Sequence, residues 1–303
     1  MGRGQFYCGK IGERINIDSG LKDIFYRKGE INMLTNKKVA IIGVGKMGET
    51  LLNSMIKNNL MKKENLTGST AQEEHAKEIN KKYGIRTYTN NQEMILGKDI
   101  IIFAIKPQMM KKVIFDIKEV VTERQLVISI AAATSTQFIE DCLGKNIPVI
   151  RTMPNTPALI NEGMTVLCPG KYAQKEHLKV ATGIFRAVGL VEVIYQEELM
   201  DVVTALSGSA PAYTYIIIES LTEGGLRMGL PRELAQKLTA QSLLGAAKMV
   251  LKTGMHPALL KDAVTTPAGV TVDGLMELED GGIRVTLIKA VSRATEKSKE
   301  LSR

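Results

Sequence analysis

The chain has 303 residues, long enough for two domains with sizeable cores. Apolar residues make up 44% and charged residues 24%, a globular balance, and no apolar run reaches the ~18 residues of a membrane span. The formal charge of +8 is scattered along the chain and aromatics are only 5%, poor material for stacking bases but compatible with a small polyanion such as a phosphorylated cofactor. No nucleic-acid or membrane partner is therefore expected. Cys8, Cys142 and Cys168 are an odd set, and with His75, His177 and His256 they show no metal-ligand spacing. No metal is expected, and a reducing cytoplasm is the expected setting.

Residues 1–32 lack the apolar segment of a signal peptide and show no sustained helical or strand period. Lys28-Gly29-Glu30 can be encoded by a purine run resembling a bacterial ribosome-binding site, and Met33 follows a few codons later. The expectation is that translation starts at Met33. Residues 1–32 are then upstream sequence read through, or else a disordered extension without a functional role. A native peptide containing Phe6 or Phe25 would refute the Met33 start.

From Lys38 the pattern becomes strict. VAIIG, Val39 to Gly43, reads as a buried parallel strand, and GVGKMG follows with Gly43, Gly45 and Gly48 in G-x-G-x-x-G spacing. A helical ETLLNSMIKNN completes the strand–turn–helix context that this motif needs to signify a dinucleotide site. The second strand, Leu66 to Ser69, ends in Gly68-Ser69-Thr70, with no acid before Glu73. An NAD-binding fold usually places a carboxylate there to hold the ribose 2′-hydroxyl, so its absence favours NADP(H). No Arg stands at the tip either, so NADH stays a possible donor.

Strands are then expected at Asp99–Pro107, Gln125–Ala133 and Ile147–Ile160, with GMTVLCPG and VEVIY as a last pair. Ligands bind at the carboxyl ends of such strands, which places Lys106, Pro107, Ala131 and Asn155 on the nicotinamide side. Pro154-Asn155-Thr156-Pro157 reads equally well as a rigid turn. Residues 33–196 thus form the expected dinucleotide-binding domain.

Residues 197–303 read as helical, with breaks at Gly229-Leu230-Pro231, Thr253-Gly254, Pro267 and Gly281-Gly282. ALSGSAPAYTYIIIESL and SLLGAAKMVL combine small residues with strongly apolar helix. That much apolar surface suggests an interlocked dimer, the alternative being a helical domain buried within one chain. TTPAGVTVDGL, Thr265 to Leu275, reads as a helix mouth whose free N–H groups suit an anion, although an ordinary capped helix would look the same.

In order and spacing, VAIIGVGKMG, AIKPQ, SIAAA, RTMPNTPA, TALSGSAPAY, LLGAAKM and HPALLKDAVTTPAGVTVDGLMELEDGG resemble pyrroline-5-carboxylate reductases from about Val39 to about Leu301. The resemblance implies an N-terminal Rossmann-type α/β domain and an all-α C-terminal dimerisation domain. It also implies an NAD(P)H-dependent reduction of Δ1-pyrroline-5-carboxylate to L-proline, and obligate dimers that often assemble into decamers. Thr271 corresponds to the threonine that hydrogen-bonds the ring nitrogen. Thr266 and the backbone of Ala268, Gly269 and Val270 correspond to the carboxylate clamp. Gly43, Gly45, Lys46, Met47, Gly48, Ser69, Ala104, Ile105, Lys106, Pro107, Ala131 and Asn155 match cofactor positions. Ala210 and Ala268 stand where the family usually has glycine, and Val270 where it often has a smaller residue or Thr, so the substrate site is narrowed.

The chemistry agrees through what is absent. A ketone needs a proton donor for its developing alkoxide, whereas a cyclic imine can enter already protonated and needs orientation, a carboxylate clamp and a hydrogen bond at nitrogen. A β-hydroxyacid-type dehydrogenase would need a Lys on the first long helix of the second domain, where Tyr213, Tyr215 and Glu219 stand instead. Two alternatives remain open: an NADP-sensing binding protein of the same fold, and a reductase of a related imine.

Overall fold

The structure, a computed structural model, describes residues 34–302. The expectations for residues 1–32 and for a start at Met33 lie outside the described residues. Eight strands form one sheet in the order β3-β2-β1-β4-β5-β6-β7-β8. They are β1 (Val39–Ile42), β2 (Leu66–Ser69), β3 (Arg86–Tyr88), β4 (Ile100–Phe103), β5 (Leu126–Ser129), β6 (Val149–Met153), β7 (Gly163–Pro169) and β8 (Gly189–Val193). β1 to β6 run parallel, β7 is antiparallel to β6, and β8 is parallel to β7.

Helices cover both faces. They are α1 (Lys46–Lys57), α2 (Glu73–Tyr83), α3 (Asn91–Ile95), α4 (Pro107–Ile117), α5 (Thr136–Leu143) and α6 (Lys175–Arg186). The unbroken apolar runs VAII and IIIF are buried at every position because the sheet has no solvent face at its centre. One core holds Ile41, Leu51, Ile102 and Phe185, and the opposite one Ile42, Phe103, Ile114 and Ile139.

The expected strands at Asp99–Pro107, Gln125–Ala133 and Ile147–Ile160 are shorter than the sequence suggested. Pro107 is the first residue of α4, since a missing N–H costs nothing there, and Thr156–Ile160 is a 3-10 turn. The three-residue β3 was not anticipated. It is a short, partly exposed edge strand without an apolar run to announce it.

The helical half follows β8. It contains α7 (Met200–Val203), a π turn at Thr204–Gly208, then α8 (Ala210–Arg227), α9 (Arg232–Thr253), α10 (Pro257–Ala263), α11 (Val270–Asp280) and α12 (Ile283–Leu301). Its breaks fall where the sequence placed them; Gly254 caps α9 in the left-handed conformation and Gly282 turns the chain into α12. Its apolar surface is left uncovered by the rest of the described residues. From α8 to α12 only Thr222, Ala235 and Ser298 are buried, while Ile216, Met228, Leu251 and Ile288 are all more than 60% exposed. No helix of the described residues is long and apolar enough to cross a membrane.

Candidate functional site

The carboxyl ends of β1, β2, β4, β5 and β6 gather the cofactor candidates on one edge of the sheet. The adjacent strands β1 and β4 leave it in opposite directions of sheet order, which opens a crevice between the loops that follow them. Gly43 turns the chain with φ of +91°, and a Cβ there would lie 2.6 Å from Ile105 Cγ2. A Cβ on Gly48 would strike the Gly43 carbonyl, whereas Gly45 has open space around it. The N–H groups of Gly43 and Val44 donate to Ser69 O at 3.1 and 2.9 Å, tying the loop to β2. Helix α1 begins at Lys46 without a side-chain cap, so the N–H groups of Lys46, Met47 and Gly48 lack intrahelical acceptors. Such a mouth suits a pyrophosphate.

Glu49, in the first turn of α1, would repel such a ligand if it were free. It is instead drawn to Lys82 Nζ at 2.6 Å and accepts from Tyr83 OH at 2.8 Å. The Lys82 contact holds its carboxyl below the ordinary carboxylate range.

At the tip of β2, Ser69 is buried and its hydroxyl donates to Asn91 Oδ1 at 2.6 Å. The Thr70 N–H donates to Tyr88 O at 3.1 Å, and the nearest acid along the chain, Glu73, is carried into α2. The tip therefore presents hydroxyl and amide groups and no carboxylate. Asn91 was not anticipated from sequence; the signal was the Asn90-Asn91 pair opening α3, where the Asn90 side chain accepts from the Glu93 N–H.

The Ala104 N–H donates to Ile42 O at 2.9 Å, and Ile105 and Lys106 lead to Pro107 at the start of α4, with the Lys106 side chain exposed. Ala131 is buried beyond β5, its N–H donating to Ser129 Oγ at 3.3 Å, and Ala133 turns at φ of +54°. The Asn155 side chain is turned into the protein: it accepts from the Met164 N–H at 2.9 Å and donates to Ser207 O at 3.3 Å. The rigid-turn reading accounts for both bonds.

The substrate candidates form a separate cluster. Among the described residues, the hydrogen bonds of the loop before α11 are local. Thr265 Oγ1 donates to Lys261 O at 2.8 Å, the Gly269 N–H to Thr266 O at 3.0 Å, and the Val272 N–H to Gly269 O at 3.0 Å. Ala268 takes φ of +54°, and a Cβ on Gly269 would collide with Thr266 Oγ1, which therefore overhangs the loop. Gly269 caps α11 without a side-chain bond, leaving the N–H groups of Val270 and Thr271 directed out of the helix. Thr271 is half-buried; Val270 is 90% exposed. Among the described residues, no hydrogen bond joins this mouth to the cofactor edge of the same chain.

Two of the histidines do capping work. His256 Nδ1 accepts the Ala258 N–H at the start of α10, and His177 Nδ1 accepts the Gln174 N–H before α6. No cluster of three metal-ligating side chains occurs among the described residues. Burial pushes the Cys168 thiol up to about 11, which leaves it a packed, unreactive group.

Two family models match the chain: pyrroline-5-carboxylate reductase dimerisation over residues 197–301, and NADP oxidoreductase, coenzyme F420-dependent, over residues 38–133. A pyrroline-5-carboxylate reductase of Methanosarcina acetivorans is 44% identical over 89% of this chain and 100% of its own. The Escherichia coli enzyme is 37% identical over 88% of this chain and 99% of its own. Among solved structures, a pyrroline-5-carboxylate reductase of Coxiella burnetii superposes with a TM-score of 0.83 at 34% identity, covering 89% of this chain and 100% of that one. The Plasmodium falciparum pyrroline carboxylate reductase, solved with NADP bound, gives 0.80 at 34% identity, with 89% and 100% covered. With a capless helix mouth behind a glycine turn, a second mouth in an unpartnered helical half, and relatives matched end to end, the chain belongs to the pyrroline-5-carboxylate reductase family.

Proposed function

We propose that this protein reduces the cyclic imine Δ1-pyrroline-5-carboxylate to L-proline with NADPH, as a dimer in the cytoplasm, in the last step of proline synthesis. The observation that carries this reading is the pairing of two uncapped helix mouths, one behind the glycine turn of a dinucleotide fold and one in the helical half. When bound, NADPH supplies the hydride, and NADH is a weaker substitute.

The residues of the nucleotide half fit that cofactor. A Cβ at Gly43 or Gly48 would fill the turn, and the N–H groups of Lys46, Met47 and Gly48 take the pyrophosphate. Ser69 and Asn91 meet the adenosine ribose and its phosphate by hydrogen bonding, with no carboxylate to repel it. Ala104, Ile105, Lys106, Pro107 and Ala131 shape the nicotinamide end, and Asn155 holds the turn beside it. In the helical half, the N–H groups before and within the first turn of α11, together with Thr266 Oγ1, hold the substrate carboxylate. Thr271 Oγ hydrogen-bonds the ring nitrogen and fixes the face presented to the cofactor. Because the mouth makes only local bonds among the described residues, its cofactor edge comes from the second protomer. Further assembly of such dimers into decamers fits the family resemblance.

The test is to mix the purified protein with the imine and NADPH and follow nicotinamide absorbance, with proline identified as product. NADPH binding without turnover would mark a cofactor-sensing protein instead, and preferential turnover of the six-membered homologue would mark a reductase of a related imine.

A further inference from the structure

Arg151 is a buried cation in the middle of β6, with its side chain 5% exposed. Register places it in the row Ile42, Phe103, Ser129, Arg151, Cys168, so it lies level with the residues that immediately precede the cofactor loops of β1, β4 and β5. Its partners come from the other half of the chain. Nη1 lies 3.2 Å from Glu197 Oε1 and Nη2 lies 3.9 Å from Asp201 Oδ1.

Each carboxylate is held a second time. Glu197 accepts from the Thr136 N–H at 2.8 Å and from Thr136 Oγ1 at 2.6 Å, at the mouth of α5. Asp201 accepts from Ser298 Oγ at 2.6 Å and Ser302 Oγ at 3.2 Å, at the end of α12. One guanidinium therefore joins the sheet, the mouth of α5, the entry to the helical half and the last helix. A few residues on, Asn155 donates to Ser207 O, which gives a second point of attachment.

Around the cation the seam is apolar, with Val166, Cys168 and Met200 buried together. An apolar side chain would pack there at lower desolvation cost, so a charged network is suited to fixing a direction rather than to adding stability. We infer that Arg151 is a positioning residue, whose ion pairs with Glu197 and Asp201 fix the angle of the helical half on its own sheet and so, through the dimer, set where the imine held by one protomer meets the nicotinamide held by the other. The inference rests on the reductase reading above.

The test compares Arg151→Met, Arg151→Lys and Glu197→Gln with the unaltered dimer. Four quantities are measured: NADPH affinity by fluorescence titration, kcat, the primary isotope effect with NADPH deuterated at the transferred position, and amide exchange of residues 197–203. Glu197 is partly exposed, so Glu197→Gln keeps the test open if Arg151→Met does not fold. Expected are NADPH affinity within about twofold, kcat lower by about ten- to a hundredfold, a larger isotope effect and faster exchange at 197–203, since misplacement of the order of 1 Å costs that much in rate. Arg151→Lys should recover part of the loss. An unchanged isotope effect, with kcat falling only in step with the folded dimer fraction, would overturn the inference. Absence of turnover in the unaltered protein would instead overturn the reductase reading beneath it.

Discussion

Ala268, in the loop before α11, and Thr271, in that helix's first turn, are proposed to bear on different terms of the reaction. Thr271 is half-buried in the first turn of α11. A donor or acceptor that strengthens as charge shifts at nitrogen is worth roughly a hundredfold in rate. Thr271→Ala should accordingly lower kcat by about that factor while the NADPH dissociation constant stays put. Unchanged turnover in stopped-flow assays would remove Thr271 from the mechanism. Ala268 holds φ of +54°, where an L residue is strained by about 1 kcal/mol relative to glycine. Glycine there relieves the strain but gives the unfolded chain more freedom, so the melting temperature should move little. Its main effect is to remove a methyl group from the mouth. Ala268→Gly should raise kcat/KM for the six-membered imine relative to the five-membered one severalfold, within the roughly 1–3 kcal/mol that one methyl group is worth in a pocket. A constant ratio would show that the methyl points away from the substrate.

Elements whose role follows from apolar periodicity and glycine spacing were readable before any coordinates. The run VAII followed by G-x-G-x-x-G could hardly be anything but a central strand feeding a helix mouth, and β1 and α1 lie there. The helical breaks at Gly254 and Gly282 were equally plain, because left-handed turns select glycine. What stayed hidden depended on contacts distant in sequence. The edge strand β3 exists by pairing with β2, the strand ends were read too long because loop residues 104–105 and 130–133 are themselves apolar, and Asn91 matters through Ser69. The β2 tip offers a direct check on cofactor choice. Ser69→Asp puts a carboxylate beside the ribose, where like charges about 4 Å apart repel by up to ~4 kcal/mol near a protein surface. The kcat/KM ratio of NADPH to NADH should fall by at least about tenfold, which corresponds to 1.4 kcal/mol; an unaltered ratio would place the 2′-phosphate elsewhere.

For the whole molecule, the decisive fact is a helical half that buries almost nothing of itself. Leu251 is 69% exposed and Ile288 66%, large apolar side chains that a single chain leaves facing water. The small-residue runs had pointed to an interlocked dimer, and the matched dimerisation model covers the same helices. Ile288→Lys should therefore yield monomers in sedimentation velocity and lose nearly all turnover, since in the proposed arrangement each mouth takes its cofactor edge from the second protomer. A fully active monomer would contradict both statements. Which helix crosses which, and how many dimers associate, is set by surface shape across protomers, and hydropathy carries no trace of it.

Dinucleotide folds are often handled as exchangeable cassettes, cut where the last strand ends. Here a cut after Gln196 falls between a cation and both of its counter-ions. The excised piece would keep Arg151 inside the sheet with Glu197 and Asp201 gone, and would bare the side of Val166 and Cys168 that Met200 covers. An uncompensated buried charge of this kind costs roughly 3–5 kcal/mol, a large share of what holds a domain together. A graft of this cofactor fold onto another catalytic half thus has to carry residues 197–203 along with the strands, and the workable junction lies in the helices, not at the end of the sheet.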